Sequence, residues 1–298
     1  MSGSKEHVFL VDNKALTVMP ERPMRNGILG KSLEDALQHL LATYPSLLPG
    51  SAIDPGSVDP PRFVLLRREM PVGQWSLDHL FVDQTGVLTL VETKLFANPE
   101  ARREVIGQLI EYAANASAHW GGGLVRQAAA EFHAGNGREL DEVLKTTFGE
   151  DLDPDTLWAS VEDNLQRGRI RLIIAADELR PEVRRMIEYL NQEMSNAELL
   201  GLELKCYGTT DSQLVLVPRI VGQTLAAADR RSGSAGGAVL WDRERLRVGL
   251  ESIEPGVRRE WLTAVLDRAL KRGAWRPSRA KDPAFGVNGR WGSGLLWF

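Results

Sequence analysis

The chain has 298 residues, 43% of them hydrophobic and 26% charged, with a formal net charge of −4; this suits one large globular domain, or one domain with a smaller companion. Its single cysteine, Cys206, excludes an internal disulfide and a cysteine-rich zinc site and fits a reducing, cytoplasmic setting. No run of about 18 apolar residues is present to span a membrane, "MSGSKEHVFL" lacks the apolar stretch of a signal peptide, and the net charge lacks the basic excess usual in phosphate binders.

Residues 1–30 read as an irregular arm with a short strand at "HVFLVD". A helix opens at Ser32, where Ser32 and Asp35 have the spacing of a capping box with the shorter acid. Leu33, Leu37, Leu40, Leu41 and Tyr44 give it an apolar stripe, and Pro45 ends it. After a loop rich in Pro, Gly and Asp at 49–61 come three strands, at 62–72, 77–83 and 87–95. "NPEARREVIGQLIEYAANASAHW" is a helix with Asn98 as N-cap and Pro99 at its first position. Helices follow at about 138–147 and 155–167. "IRLIIAAD" (170–177) is a buried strand, Pro181 starts a further helix, and "LELKCYG" and "QLVLVPRIVG" are strands. The order is an α/β pattern.

"AAADRRSGSAGGA" (226–238) has the composition of a linker. Beyond it, "WDRERLRVGL" and "RREWLTAVLDRALKRG" look helical, and the Gly-, Pro- and Trp-containing tail has short strands at best. The expected organisation is an arm (1–30), a main domain (31–225), the linker, and a small C-terminal α+β module (239–298). That module holds 12 Lys/Arg against 7 Asp/Glu, whereas the rest of the chain holds 24 against 33. Its Lys271, Arg272, Arg276, Arg279, Lys281 and Arg290 interleave with Trp275, Phe285, Trp291 and Trp297. Such a pattern suits a nucleic-acid backbone groove with base stacking, or a small core that uses its tryptophans for packing.

The chemistry concentrates in one hairpin. Gln84-Thr85-Gly86 reads as a three-residue loop with Gly in the left-handed position, which pairs Asp83 with Val87. In antiparallel register Val82 then faces Leu88, Leu80 faces Leu90, and Asp78 faces Glu92, all on one side of the sheet. Opposed carboxylates repel, so a positive charge is required between them. Lys94, two residues beyond Glu92, is one source; a divalent cation is the other, since hard cations take carboxylate oxygens. Asp, Glu and a backbone carbonyl with Lys alongside is a constellation for metal-assisted phosphoryl hydrolysis. A Glu-x-Lys alone is weak, because such pairs are usually solvated ion pairs. A second copy, Glu203-Leu204-Lys205, follows no acidic hairpin.

Asp78, the turn, Glu92-Thr93-Lys94 and a helix carrying "GQLIEY" together resemble the PD-(D/E)XK superfamily of restriction-endonuclease-like nucleases. In motif they are most similar to the catalytic domain of mismatch-directed endonucleases and their bacterial relatives. The resemblance covers about 31–225, with its specific part at 62–116. It implies an α-β-β-β-α-β core and hydrolysis of nucleic-acid phosphodiesters, DNA first. It further implies Mg²⁺ or Mn²⁺ on Asp78 and Glu92 with the Thr93 carbonyl, and Lys94 assisting attack by water. Gln108 matches a helix glutamine found beside the site in several branches, and Glu34 matches an acid on the first helix. Leu77 stands where the family often has Pro, and Glu111 where the mismatch group often has a basic residue, so the substrate stays open. Many such nucleases act as homodimers. The competing reading is a catalytically inactive binding or regulatory protein on the same fold, which the acidic main domain favours.

Gln108 falls between Val105 and Tyr112 on a helix whose apolar face is Val105, Ile106, Leu109, Tyr112 and Ala116, and a polar group there needs a partner. Glu34, in the first helical turn, is also explained by the helix dipole. His79 points away from the Asp78 face and reads as core filling. Of Arg67 and Arg68, one must face away from any bound phosphate.

Overall fold

Alternating apolar residues in two neighbouring strands build the centre of the main sheet. The computed structural model describes residues 8–12, 15–24, 30–55, 57–73, 75–95, 101–121, 123–194, 196–210 and 213–222. In the C-terminal part it describes 239–241, 257–271, 275–280, 284–289 and 292–297. The chain divides into two compact units, 1–224 and 225–298.

In the first unit, β1 (Val8–Asp12) and β2 (Ala15–Met19) pair as an antiparallel hairpin. The expectation of an irregular arm with one strand is corrected here: there are two strands, followed by β3 (Glu21–Arg22). Helix α1 (Leu33–Thr43) begins at Ser32, whose side chain accepts a hydrogen bond from the Asp35 N–H. A 3₁₀ turn (Pro45–Leu47) and the short α2 (Gly50–Ile53) follow.

The strands β4 (Phe63–Val72), β5 (Trp75–Asp83) and β6 (Leu88–Thr93) form an antiparallel meander. Four helices come next: α3 (Ala101–His119), α4 (Leu124–Gly135), α5 (Leu140–Phe148) and α6 (Pro154–Gln166). The N-cap and first residue read for α3, Asn98 and Pro99, lie outside the described residues. Then come β7 (Ile170–Ala176), α7 (Pro181–Glu193), β8 (Glu198–Tyr207) and β9 (Val215–Val221). The sheet order is β3-β8-β7-β6-β5-β4, with β9 also on β8. Strands β6, β7 and β8 run parallel and the remaining pairs antiparallel, so the sheet is mixed.

The two faces of the sheet bury different sets. One carries Leu80, Val82, Leu88, Leu90, Leu172 and Ile174 beneath α3 to α7. The other carries Phe81, Val91, Ile173, Ala175, Leu200 and Leu202 beneath α1 and α2. Residues 80–82 of β5 and 88–91 of β6 thus separate as a period of two requires, whereas Leu77 packs with the Leu80 and Val82 set, so the alternation breaks next to Asp78.

The predicted hairpin register is observed from Val82–Leu88 through Leu80–Leu90 to His79–Val91, and the pairing ends there, short of the expected Asp78–Glu92 pair. Gly86 has φ +77°, and a Cβ there would meet the α6 backbone at Val161 N, 2.9 Å away. Both the turn and the close approach of α6 demand glycine. Asp83 ties the turn, its Oδ1 accepting from Thr85 N, Thr85 Oγ1 and Val87 N. Its Oδ2 meets Arg171 at 3.1 Å.

In the second unit, β10 (Val239–Trp241), β11 (Trp275–Ala280), β12 (Ala284–Gly289) and β13 (Gly292–Trp297) form an antiparallel sheet. Helix α8 (Val257–Lys271) precedes β11. The tail read as short strands at best is therefore three six-residue strands. The proposed linker and most of "WDRERLRVGL" lie outside the described residues. No described helix is long and apolar enough to cross a membrane.

Candidate functional site

Strand β6 is buried along its whole length, and this makes Glu92 unusual: a carboxylate only 3% exposed at the end of an apolar strand. Burying an acid disfavours its charged form. Burial, followed by the nearby Asp78 carboxylate, pushes the Glu92 pKa up to about 7. The Lys94 ammonium and the Asp78 backbone pull the other way without cancelling this. Lys94 Nζ lies 3.5 Å from Glu92 Oε1, while Glu92 Oε2 is buried with no hydrogen-bond partner.

Asp78 is half-buried on β5. The β5–β6 pairing stops at His79–Val91. Two residues past Val91, the Thr93 N–H donates to Asp78 Oδ2 at 2.8 Å and the Thr93 hydroxyl donates to the same oxygen at 2.5 Å. A side-chain oxygen of Asp78 thus takes the role of a ladder carbonyl. Lys94 N continues the parallel ladder to Ala175 O at 3.0 Å.

Asp78, Glu92, Thr93 and Lys94 are therefore brought together. Gln108, on α3, keeps its Oε1 buried and unpartnered. One turn later Tyr112 donates its hydroxyl to Ser76 O at 3.2 Å. The Tyr112 pKa is pushed up to about 12 by burial and then by the Glu92, Asp78 and Glu111 carboxylates. Val105, Ile106, Leu109, Tyr112 and Ala116 are all buried, as their spacing predicts.

Glu34 lies in the first turn of α1, which packs against β5 and β6. Its helix covers the Phe81/Val91 face, and no hydrogen bond or ion pair joins it to Asp78, Glu92 or Lys94 among the described residues. His79, fully buried, donates from Nε2 to Gln38 O at 2.9 Å and stacks on Phe81; burial lowers its pKa to about 4. Arg68 reaches Gln38 Oε1 at 3.2 Å, whereas Arg67 turns to Ala128 O and Glu131.

The second Glu-x-Lys supplies an internal control. Glu203 is as buried as Glu92, but its Oε1 accepts from Leu179 N at 2.7 Å and from Arg184 Nη2 at 2.6 Å, and Lys205 pairs with Glu21 at 3.1 Å. Those charges are satisfied within the fold. At Glu92 an acceptor is left over.

A divalent cation fits that surplus. Asp78 and Glu92 offer hard oxygen donors, and the orphaned Glu92 Oε2 lacks a positive partner. No group of three or more His, Cys, Asp or Glu capable of holding a metal occurs among the described residues. Asp78 and Glu92 are thus two carboxylate donors without a full protein cage around them.

The sequence reading missed one buried charged cluster. Arg171 on β7 meets Asp83, Thr89 Oγ1 (3.0 Å) and Glu198 (3.3 Å), and lies over the Phe63 ring. It belongs with the Phe81 face and fastens the hairpin end of the sheet.

No family model matches the chain, and no curated protein matches it. Among solved structures, an EndoMS complex with double-stranded DNA matches at 18% identity and a TM-score of 0.28. That match covers 63% of this chain and 51% of the EndoMS chain, so it spans about half of the latter.

Proposed function

We propose that the main unit is a metal-dependent nuclease of the PD-(D/E)XK type that hydrolyses phosphodiester bonds, with DNA as its substrate. The observation that carries this is the Asp78–Glu92 pair, with Glu92 Oε2 buried and unpartnered and Lys94 3.5 Å from the other oxygen. With α2 inserted before β4 and α4 to α6 inserted before β7, the order α1, β4, β5, β6, α3, β7 supports it as the α-β-β-β-α-β succession that the motif resemblance implies.

Asp78 and Glu92 would hold Mg²⁺ or Mn²⁺, with the Thr93 carbonyl as a further donor. When bound, such an ion polarises a phosphoryl oxygen and lowers the pKa of water. Thr93 orients Asp78 through two hydrogen bonds. The Lys94 ammonium is half-buried, and its positive charge stabilises the charge that develops on the phosphoryl oxygens. Gln108 orients water or phosphate from α3.

A second reading is a catalytically inactive binding or regulatory protein on this fold. The acidic balance of residues 1–238, with 33 Asp/Glu against 24 Lys/Arg, favours it. Incubating the full chain with DNA and RNA panels in Mg²⁺ or Mn²⁺ separates the two. Cleavage that disappears in Asp78→Ala and Lys94→Ala supports the nuclease; cleavage that survives both removes it.

A further inference from the structure

Strand β5 parts from β6 at the site. The last backbone pair is His79–Val91, and beyond it the Asp78 side chain, not the β5 backbone, receives the Thr93 N–H. Residues 76–78 are therefore held on the β6 side by side chains. On the other side they pair only with the edge strand β4, which is bulged between Leu65 and Arg67. There β4 also carries Glu69 at φ +51° in the left-handed region, an uncommon conformation for a residue other than glycine.

One described hydrogen bond ties this departing segment to the helix above it, from Tyr112 OH to Ser76 O at 3.2 Å. Tyr112 is 2% exposed, so its hydroxyl is out of reach of a nucleic-acid strand. Ser76 lies two residues before Asp78 and, by strand geometry, about 7 Å along the chain from it. A phenyl ring would satisfy the packing of Tyr112 against the core; the hydroxyl goes further and fixes where the segment sits.

We propose that Tyr112 is a positioning residue that sets the gap between Asp78 and Glu92 by anchoring Ser76; this rests on the nuclease reading above. The ring supplies stability and the hydroxyl supplies the spacing of the two carboxylates. Loss of the hydroxyl lets residues 76–78 relax, so the pair binds the cation less well, while the surface that meets the substrate is unchanged.

Tyr112→Phe in the full chain tests this, with Leu109→Val on the same helix as a packing control. Mn²⁺ affinity by calorimetry, the Mn²⁺ concentration for half-maximal cleavage, kcat, KM for DNA, and melting temperature are read for both. For Tyr112→Phe, Mn²⁺ affinity falls about tenfold, the scale seen when a supporting partner of a metal ligand is removed. Its kcat drops at saturating DNA and its KM for DNA is unchanged. Leu109→Val lowers the melting temperature and leaves Mn²⁺ affinity as in the wild type. Tyr112→Phe with wild-type Mn²⁺ affinity overturns the positioning role, provided that wild-type binding is lost in Asp78→Ala. A wild type without Asp78-dependent Mn²⁺ binding overturns the nuclease reading and the positioning role together.

Discussion

Lys94 Nζ stands 3.5 Å from Glu92 Oε1, and that ion pair is all the positive charge the described fold gives a carboxylate buried beside another carboxylate. The carboxylate pair is thus short of positive charge, and the way that deficit is met can be measured.

The first concerns stability without metal. The folded-state pKa of Glu92, about 7, lies above its ordinary value of 4.5. The folded state therefore binds more protons than the unfolded chain between those values, and this contribution to stability falls as pH rises from about 4.5 through 7, then levels. Glu92→Gln removes the penalty. In chelator-treated protein its stability matches wild type near pH 5 and exceeds it by on the order of 3 kcal/mol at pH 8, at about 1.4 kcal/mol per pKa unit. Urea titration at the two pH values measures it.

On the proposed metal-binding role, the same proton competes with the cation. Below pH 7 a cation must displace it from Glu92, so Mn²⁺ affinity rises about tenfold per pH unit up to about 7 and flattens above, as for any deprotonated ligand. Calorimetry at pH 6 in buffers of different ionisation enthalpy reads the release of one proton. No release at pH 6 would show that Glu92 is not a ligand.

Lys94 is predicted to act on the reaction more than on the metal. Lys94→Ala removes a charge placed for phosphoryl oxygens, and kcat falls by about 10²–10³, the loss typical of one electrostatic stabiliser. Mn²⁺ binding at pH 8 persists. Rapid-quench cleavage and calorimetry on the same preparation separate the two effects.

Glu203 is predicted to be structural. Glu203→Ala strands the Leu179 N–H and removes the ion pair of Arg184, which keeps its bond to Leu179 O, at a cost of about 2 kcal/mol, as for loss of a charge-assisted hydrogen bond. Mn²⁺ affinity stays unchanged. Denaturant unfolding of Glu203→Ala beside Asp78→Ala tests whether the two Glu-x-Lys copies divide in this way.

The site's backbone was legible because local rules determine it. A glycine in the left-handed position of a three-residue loop fixes the register from Asp83–Val87 to His79–Val91; beyond that pair β5 leaves the ladder, and the contact of Asp78 with Thr93 was not readable from alternation. Helix α4 was not seen. Its buried residues, Val125, Ala129 and His133, recur at every fourth position, and it covers edge strand β4, where His133 donates to Leu65 O. The β1–β2 hairpin was read as one strand, since four of the five β2 residues are exposed and show no alternation.

Arg171 was unreadable for a different reason. It interrupts an apolar run, and its partners Thr89 and Glu198 become neighbours only through the parallel register of β6, β7 and β8. Pairing across parallel strands depends on crossover connections that no local pattern encodes. For the two Glu-x-Lys copies the sequence offered only the acidic hairpin as a distinction; that one glutamate is satisfied and the other is not became visible in three dimensions.

The most direct measurement is anomalous diffraction from a crystal of the full chain soaked in Mn²⁺. A peak between the Asp78 and Glu92 carboxylates, absent in crystals of Asp78→Ala, is the predicted result. Density showing both carboxylates ordered with no Mn²⁺ between them, at a concentration that saturates any solution binding, would contradict the account.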